Sequence, residues 1–162
     1  MKTTSILLAL ALLPAAAAQA HVTLDTQTGV AGTYQRLAFR VGHGCDGKAT
    51  TGLTVTVPQT ATAAKPMPKP GWKIDVIDRE GLYEIRWNGG ALPDAYFDEF
   101  VLQLKLPAEP GKLYFRIVQQ CGKTSVAWDE IANQAGAKLK APAPVLEVVP
   151  APATAPAPDH QH

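Results

Sequence analysis

From Tyr34 onward, apolar and polar residues alternate with period two in short runs, and Gly, Pro or Asp closes each run. Alternation of this kind marks strands with one face buried and the other in water. Leu37, Phe39 and Val41 share one face of the first clear strand, and Arg36 and Arg40 share the other. Leu53, Val55 and Val57 alternate with Thr54 and Thr56 until Pro58 ends the run, and threonine suits a half-exposed outer face. Runs over 72–77 and 82–87 flank Asp78, Arg79, Glu80 and Gly81, a hairpin loop by composition. The longest strand is expected from Phe97 to Leu106, with Phe100, Leu102, Leu104 and Leu106 on one side. After the Pro110-Gly111 turn, Leu113, Phe115 and Ile117 resume the alternation, and a last strand is expected over 124–128. About seven strands, with at most a helical turn near 129–134, predict an all-β, immunoglobulin-like sandwich.

Two stretches break the pattern inside and after this region. Lys65 to Gly71 contains three prolines and is expected as an ordered loop outside the sheets. From Ala141 the composition turns to Pro and Ala, which predicts a flexible tail over 141–162 ending in Asp159-His160-Gln161-His162. At the other end, Lys2 precedes an apolar run from Ile6 to Ala18, too short for a spanning helix, and Ala18-Gln19-Ala20 is a small-x-small cleavage site. The expected organisation is therefore a signal peptide over 1–20, a single domain over 21–140, and the tail. Cleavage after Ala20 leaves about 140 residues, enough for a core of its own.

Charge narrows the partners. Lys2 is the only charged side chain of the first 20 residues, so the remainder carries 14 basic against 14 acidic side chains. Nucleic acid and acidic lipid surfaces call for clustered basic charge, which is absent from this sequence. No long apolar stretch follows the leader, so no stable membrane anchor is expected. The chain is expected outside the cytoplasm, in the periplasm if its source is Gram-negative.

Export also changes how the two cysteines are read. Cys45 and Cys121 would meet in a compartment where disulfides persist, and pairing them would close a loop of about 75 residues, for about 4 kcal/mol of stabilisation. The other reading is a thiol pair that binds Cu(I) or exchanges with a partner, although the C-x-x-C spacing of redox motifs is missing.

Cleavage after Ala20 makes His21 the first residue. A free α-amine and an imidazole on one residue can hold a metal ion together, because the amine nitrogen and Nδ1 close a six-membered chelate ring. His43 lies in the glycine-rich segment Gly42-His43-Gly44-Cys45-Asp46-Gly47, next to a cysteine that would pin it if bonded. Alone, it reads equally as a loop histidine bonded to backbone; beside a metal at His21, a second imidazole suits Cu(II) or Zn(II). Trp128, seven residues after Cys121, is either packing or a shield whose π face meets a cation. His160 and His162, with Asp159, form either a weak metal acceptor on a tether or an incidental end.

Several of these segments together resemble the YcnI-like family of exported copper-binding domains. They are His21-Val22-Thr23, Tyr34 to Val41, Val55-Thr56-Val57-Pro58, Pro70-Gly71-Trp72, Trp87-Asn88-Gly89-Gly90, Phe97-Asp98-Glu99-Phe100, and Gln119 to Trp128. They run in the family's order and span most of the region after the leader. The resemblance implies a β-sandwich that binds Cu(II) through its mature N-terminal amine and imidazole, a further side chain, and a nearby tryptophan. On this chain the brace falls on His21 and the tryptophan on Trp128. The family places a carboxylate ligand after the first long strand; here His43 is the expected replacement, with Asp46 as the fallback. Family members often end in a membrane helix, whereas the Pro-Ala tail here implies a freely diffusing form.

The expected function is a non-enzymatic Cu(II) binder, a chaperone or sequestering protein in copper homeostasis. Its partners would be the copper ion and other periplasmic copper-transfer proteins or a copper importer. Two alternatives stand beside it: a copper-dependent oxidative enzyme of the polysaccharide monooxygenase type, and a metal-free interaction domain. No Ser-His-Asp order, phosphate-binding glycine loop or H-E-x-x-H motif is evident in the sequence.

Overall fold

A computed structural model of the chain describes residues 21–134 and 136–152. The expected leader, 1–20, and the His160 and His162 end of the expected tail lie outside the described residues. Those described are all-β, with twelve strands rather than about seven and no helix. In chain order they are β1 (Thr23–Leu24), β2 (Thr28–Val30), β3 (Tyr34–Val41), β4 (Thr50–Thr56), β5 (Thr62–Pro66), β6 (Lys73–Arg79), β7 (Leu82–Leu92), β8 (Asp98–Lys105), β9 (Gly111–Tyr114), β10 (Arg116–Cys121), β11 (Thr124–Trp128) and β12 (Val145–Val149).

They form three sheets, ordered β1-β3-β8-β5, β11-β10-β4-β7-β6 and β2-β12-β9. The first two face each other across the core, an immunoglobulin-like sandwich as the alternation predicts. Leu37, Phe39, Phe100 and Leu102 from one side meet Leu53, Val55, Ile85, Trp87 and Ile117 from the other, each no more than 1% exposed. Phe100 centres the packing: Trp72 and Trp87 stand edge to face with it at 4.9 and 5.7 Å between ring centroids.

Four expectations need correcting. The run through Leu113, Phe115 and Ile117 is two strands, because the chain leaves the third sheet and enters the second at the fully buried Phe115. The expected helical turn near 129–134 is irregular chain instead, with Asp129 and Glu130 donating their N–H groups to the Ala141 carbonyl. Lys65 and Pro66 belong to β5, and Pro66 is tolerated there because β5 is an edge strand. The rest of that proline-rich segment is held by Lys69, whose Nζ lies 2.6 Å from Asp98 Oδ2, donates to the Glu99 carbonyl, and sits 4.8 Å from the Phe100 ring centroid.

The fourth correction moves the domain boundary. Residues 145–149, expected in the tail, form β12, which pairs with β2 and β9 and buries Leu146 and Val148. Alternating valine and leucine outweigh the Pro-Ala surroundings, because a strand needs only its inward side chains to be apolar.

Tyr83 joins the two main sheets. Its hydroxyl on β7 donates to the Ala64 carbonyl on β5 at 2.8 Å. Burial, aided by the Asp78 carboxylate, raises the phenol's pKa above its ordinary 10.0. A raised phenol leaves the folded state's full stability below pH of about 10, and that contribution is lost as the pH rises through the folded-state value. Tyr83→Phe should flatten this part of the alkaline stability loss, measured by urea melts from pH 8 to pH 11. An unchanged pH profile would remove Tyr83 as the cause.

Candidate metal centre

The region around His21 is built from the start of β1, the loop after β3, and the antiparallel pair of β10 and β11. β1 pairs antiparallel with β3, Thr23 opposite Arg40 and Leu24 opposite Phe39. Val22, 2% exposed, anchors the segment in the core.

The His21 imidazole meets Trp128 edge to face, with ring centroids 5.6 Å apart and planes inclined by 74°. Its Nε2 is buried and has no hydrogen-bond partner. Nδ1 is the ring nitrogen that can share a chelate ring with the residue's own main-chain nitrogen. Beside it opens a cavity of about 500 Å³ lined by His21, Thr23, Gln27, Lys112, Pro142 and Glu147, among others.

Trp128 is 6% exposed, and its Nε1 donates to Gln119 Oε1 at 3.1 Å. Gln119 Nε2 donates to the His43 carbonyl at 2.8 Å and to Thr50 Oγ1 at 2.7 Å. Thr50 Oγ1 lies 3.9 Å from Cys121 Sγ. Cys121 is bonded to Cys45, 76 residues away in sequence, so the two cysteines form a disulfide and not a thiol pair. The bond ties the loop after β3 to the end of β10.

That loop is further shaped by a tight hairpin. The Cys45 and Lys48 main chains exchange both hydrogen bonds, and Asp46 and Gly47 between them have φ of 50° and 75°, the positive pair that a type I′ turn needs. Asp46 is exposed at the tip of this turn. Asp94 holds the other side: its Oδ1 accepts the Gly44 N–H at 2.9 Å and lies 3.9 Å from His43 Nδ1, which also faces the Gly44 carbonyl at 2.5 Å.

Of the residues expected from sequence, the structure thus brings His21 and Trp128 into contact and links the His43 main chain to Trp128 through one side chain. It places Asp46 on the far side of the disulfide turn. Among the described residues no group of three or more His, Cys, Asp or Glu side chains is arranged to hold a metal ion. Sequence reasoning missed Gln119, Thr50 and Asp94. The signal for Gln119 was present, since it interrupts the inward series Ile117, Gln119, Cys121 with an amide, and buried polar residues are informative.

Comparison with known proteins places these features. The model of a family described as a domain of unknown function, DUF1775, matches residues 21–148. An uncharacterised protein from Nocardia farcinica with an immunoglobulin-like fold is 29% identical, with 79% of this chain and 97% of that chain covered and a TM-score of 0.67. A cohesin from scaffoldin B of Acetivibrio cellulolyticus is 13% identical, with 80% and 98% covered and a TM-score of 0.47. No curated protein matches the chain.

Proposed function

This chain belongs to the DUF1775 family, and we propose that it is an extracytoplasmic Cu(II)-binding protein, a chaperone or sequestering factor rather than an enzyme. The observation that carries this reading is His21 held edge-on to Trp128 with its Nε2 buried, at the first residue of the family match. Copper here is cargo. Once cleavage exposes the amine, His21 supplies two nitrogens, and nitrogen donors are what Cu(II) prefers. His43, in the loop that Gln119 ties to Trp128, is the proposed further ligand, with Asp46 as the fallback. Trp128 covers the imidazole and keeps water from one side of it.

The Cys45–Cys121 bond supports an oxidising compartment, where such bonds persist, and the periplasm is the proposed location. No helix among the described residues is long and apolar enough to cross a membrane. Delivery would go to another copper-transfer protein or a copper importer.

The test uses protein with a confirmed His21 start, titrated with Cu(II) and followed by electron paramagnetic resonance. Inserting one alanine before His21 leaves the side chain in place but turns the amine into an amide. Binding should weaken by about a hundredfold, about 2.8 kcal/mol. Equal affinity with and without the inserted alanine, or a confirmed His21 start that ignores Cu(II), would end this reading.

A further inference from the structure

We infer that Gln119 is a positioning residue for this end of the sandwich, a single buried amide that clamps the Trp128 indole against His21 with one half and the His43 loop with the other. What the clamped groups do for copper rests on the function proposed above; the clamp itself rests on hydrogen bonds alone. Gln119 is 1% exposed, on the inward face of β10. An amide so placed is costly unless its polar atoms are bonded.

Its bonds have only one possible sense. Indole Nε1 can only donate, so the amide oxygen faces Trp128 at 3.1 Å. A main-chain carbonyl can only accept, so the amide nitrogen faces His43 at 2.8 Å, and its second hydrogen goes to Thr50 Oγ1 at 2.7 Å. Glutamate, when ionised, has no hydrogen to donate, lysine has no acceptor, and methionine has neither. The indole is thus fixed at its one polar atom while its ring meets the His21 imidazole. The His43 main chain, in the loop after β3 that the disulfide pins, is fixed by the same side chain. The cover over His21 and the loop beside it thus share one anchor.

Two measurements on protein starting at His21 test this, with Gln119→Met, which keeps length and volume but makes none of the bonds. The first needs no metal: exchange of the Trp128 indole proton by NMR, the signal identified by its loss in Trp128→Phe. It should be slow in wild type and at least tenfold faster in Gln119→Met. The second is Cu(II) titration followed by electron paramagnetic resonance, with Leu104→Ala as a variant that loses core packing opposite Gln35, further along the sheet from the start of β1. Gln119→Met should bind about tenfold more weakly and with an altered spectrum, the lower end of what loss of an outer partner costs a metal site. Leu104→Ala should keep the wild-type spectrum. Should Gln119→Met fail to fold, Gln119→Leu takes its place: it is apolar and makes none of the bonds, so indole exchange should again be at least tenfold faster and the spectrum altered. Slow indole exchange in Gln119→Met, or a wild-type spectrum and affinity in whichever variant folds, overturns the inference. A wild type that ignores Cu(II) removes the role at the metal together with the proposed function, and indole exchange then still decides the clamp.

Discussion

Replacing both Cys45 and Cys121 by alanine, or reducing the bond between them, is expected to lower the unfolding free energy by about 4 kcal/mol. The bond spans 76 residues, and a cross-link of that length removes many conformations from the unfolded chain while asking little of the folded one. Both residues are buried, at 6% and 0% exposure, so the reduced protein also keeps two thiols in a packed interior. For a domain of this size the loss corresponds to a melting point lower by about 10–15 °C. Paired thermal and urea melts with and without a reductant measure it. A change below about 1 kcal/mol would mean that the loop after β3 is held by other contacts, Asp94 foremost.

Gly44→Ala has the next largest expected effect, about 3 kcal/mol, the upper range for forcing atoms into occupied space. A Cβ built on Gly44 falls 1.7 Å from the Lys48 carbonyl oxygen and 2.8 Å from its carbon. Both are main-chain atoms, so no rotamer change relieves the overlap. The hairpin over 45–48 must open, and the Gly44 N–H then leaves Asp94. Because the His43 carbonyl and Cys45 belong to the same few residues, the damage should reach Gln119 and the disulfide. Chemical denaturation gives the size of the loss, and amide exchange at residues 43–48 gives its place. A wild-type melt for Gly44→Ala would show that the turn shifts freely, and would deprive His43 of a rigid frame.

The alternation along the chain was sufficient for the architecture. β3 occupies the expected residues, and β4, β8 and β11 fall within a few of them, because one face of each is buried and the other wet. Pairing was not legible in the same way. Leu113, Phe115 and Ile117 alternate without a break, yet the strand changes sheets at Phe115, and nothing in a period of two names the neighbour. β12 was hidden by its composition, since Pro and Ala surround the side chains that it buries. At the His21 end, the pairing of His21 with Trp128 was legible only through resemblance, because 106 intervening positions carry no record of contact. Gln119 was visible as an anomaly, a polar residue on an inward face, but its three partners come from separate segments that only the fold collects.

The third sheet bears on the order in which the domain can be made. β2 has one neighbour, β12, and Thr28 meets Glu147 only when nearly all of the folded region is present. As the polypeptide emerges N-terminus first during synthesis, β2 waits without its neighbour until the last strand arrives. Strand pairs so distant in sequence close late, and they make completion of the fold a single terminal event. A protease that cut just ahead of Val145 would undo that closure from the far end of the chain.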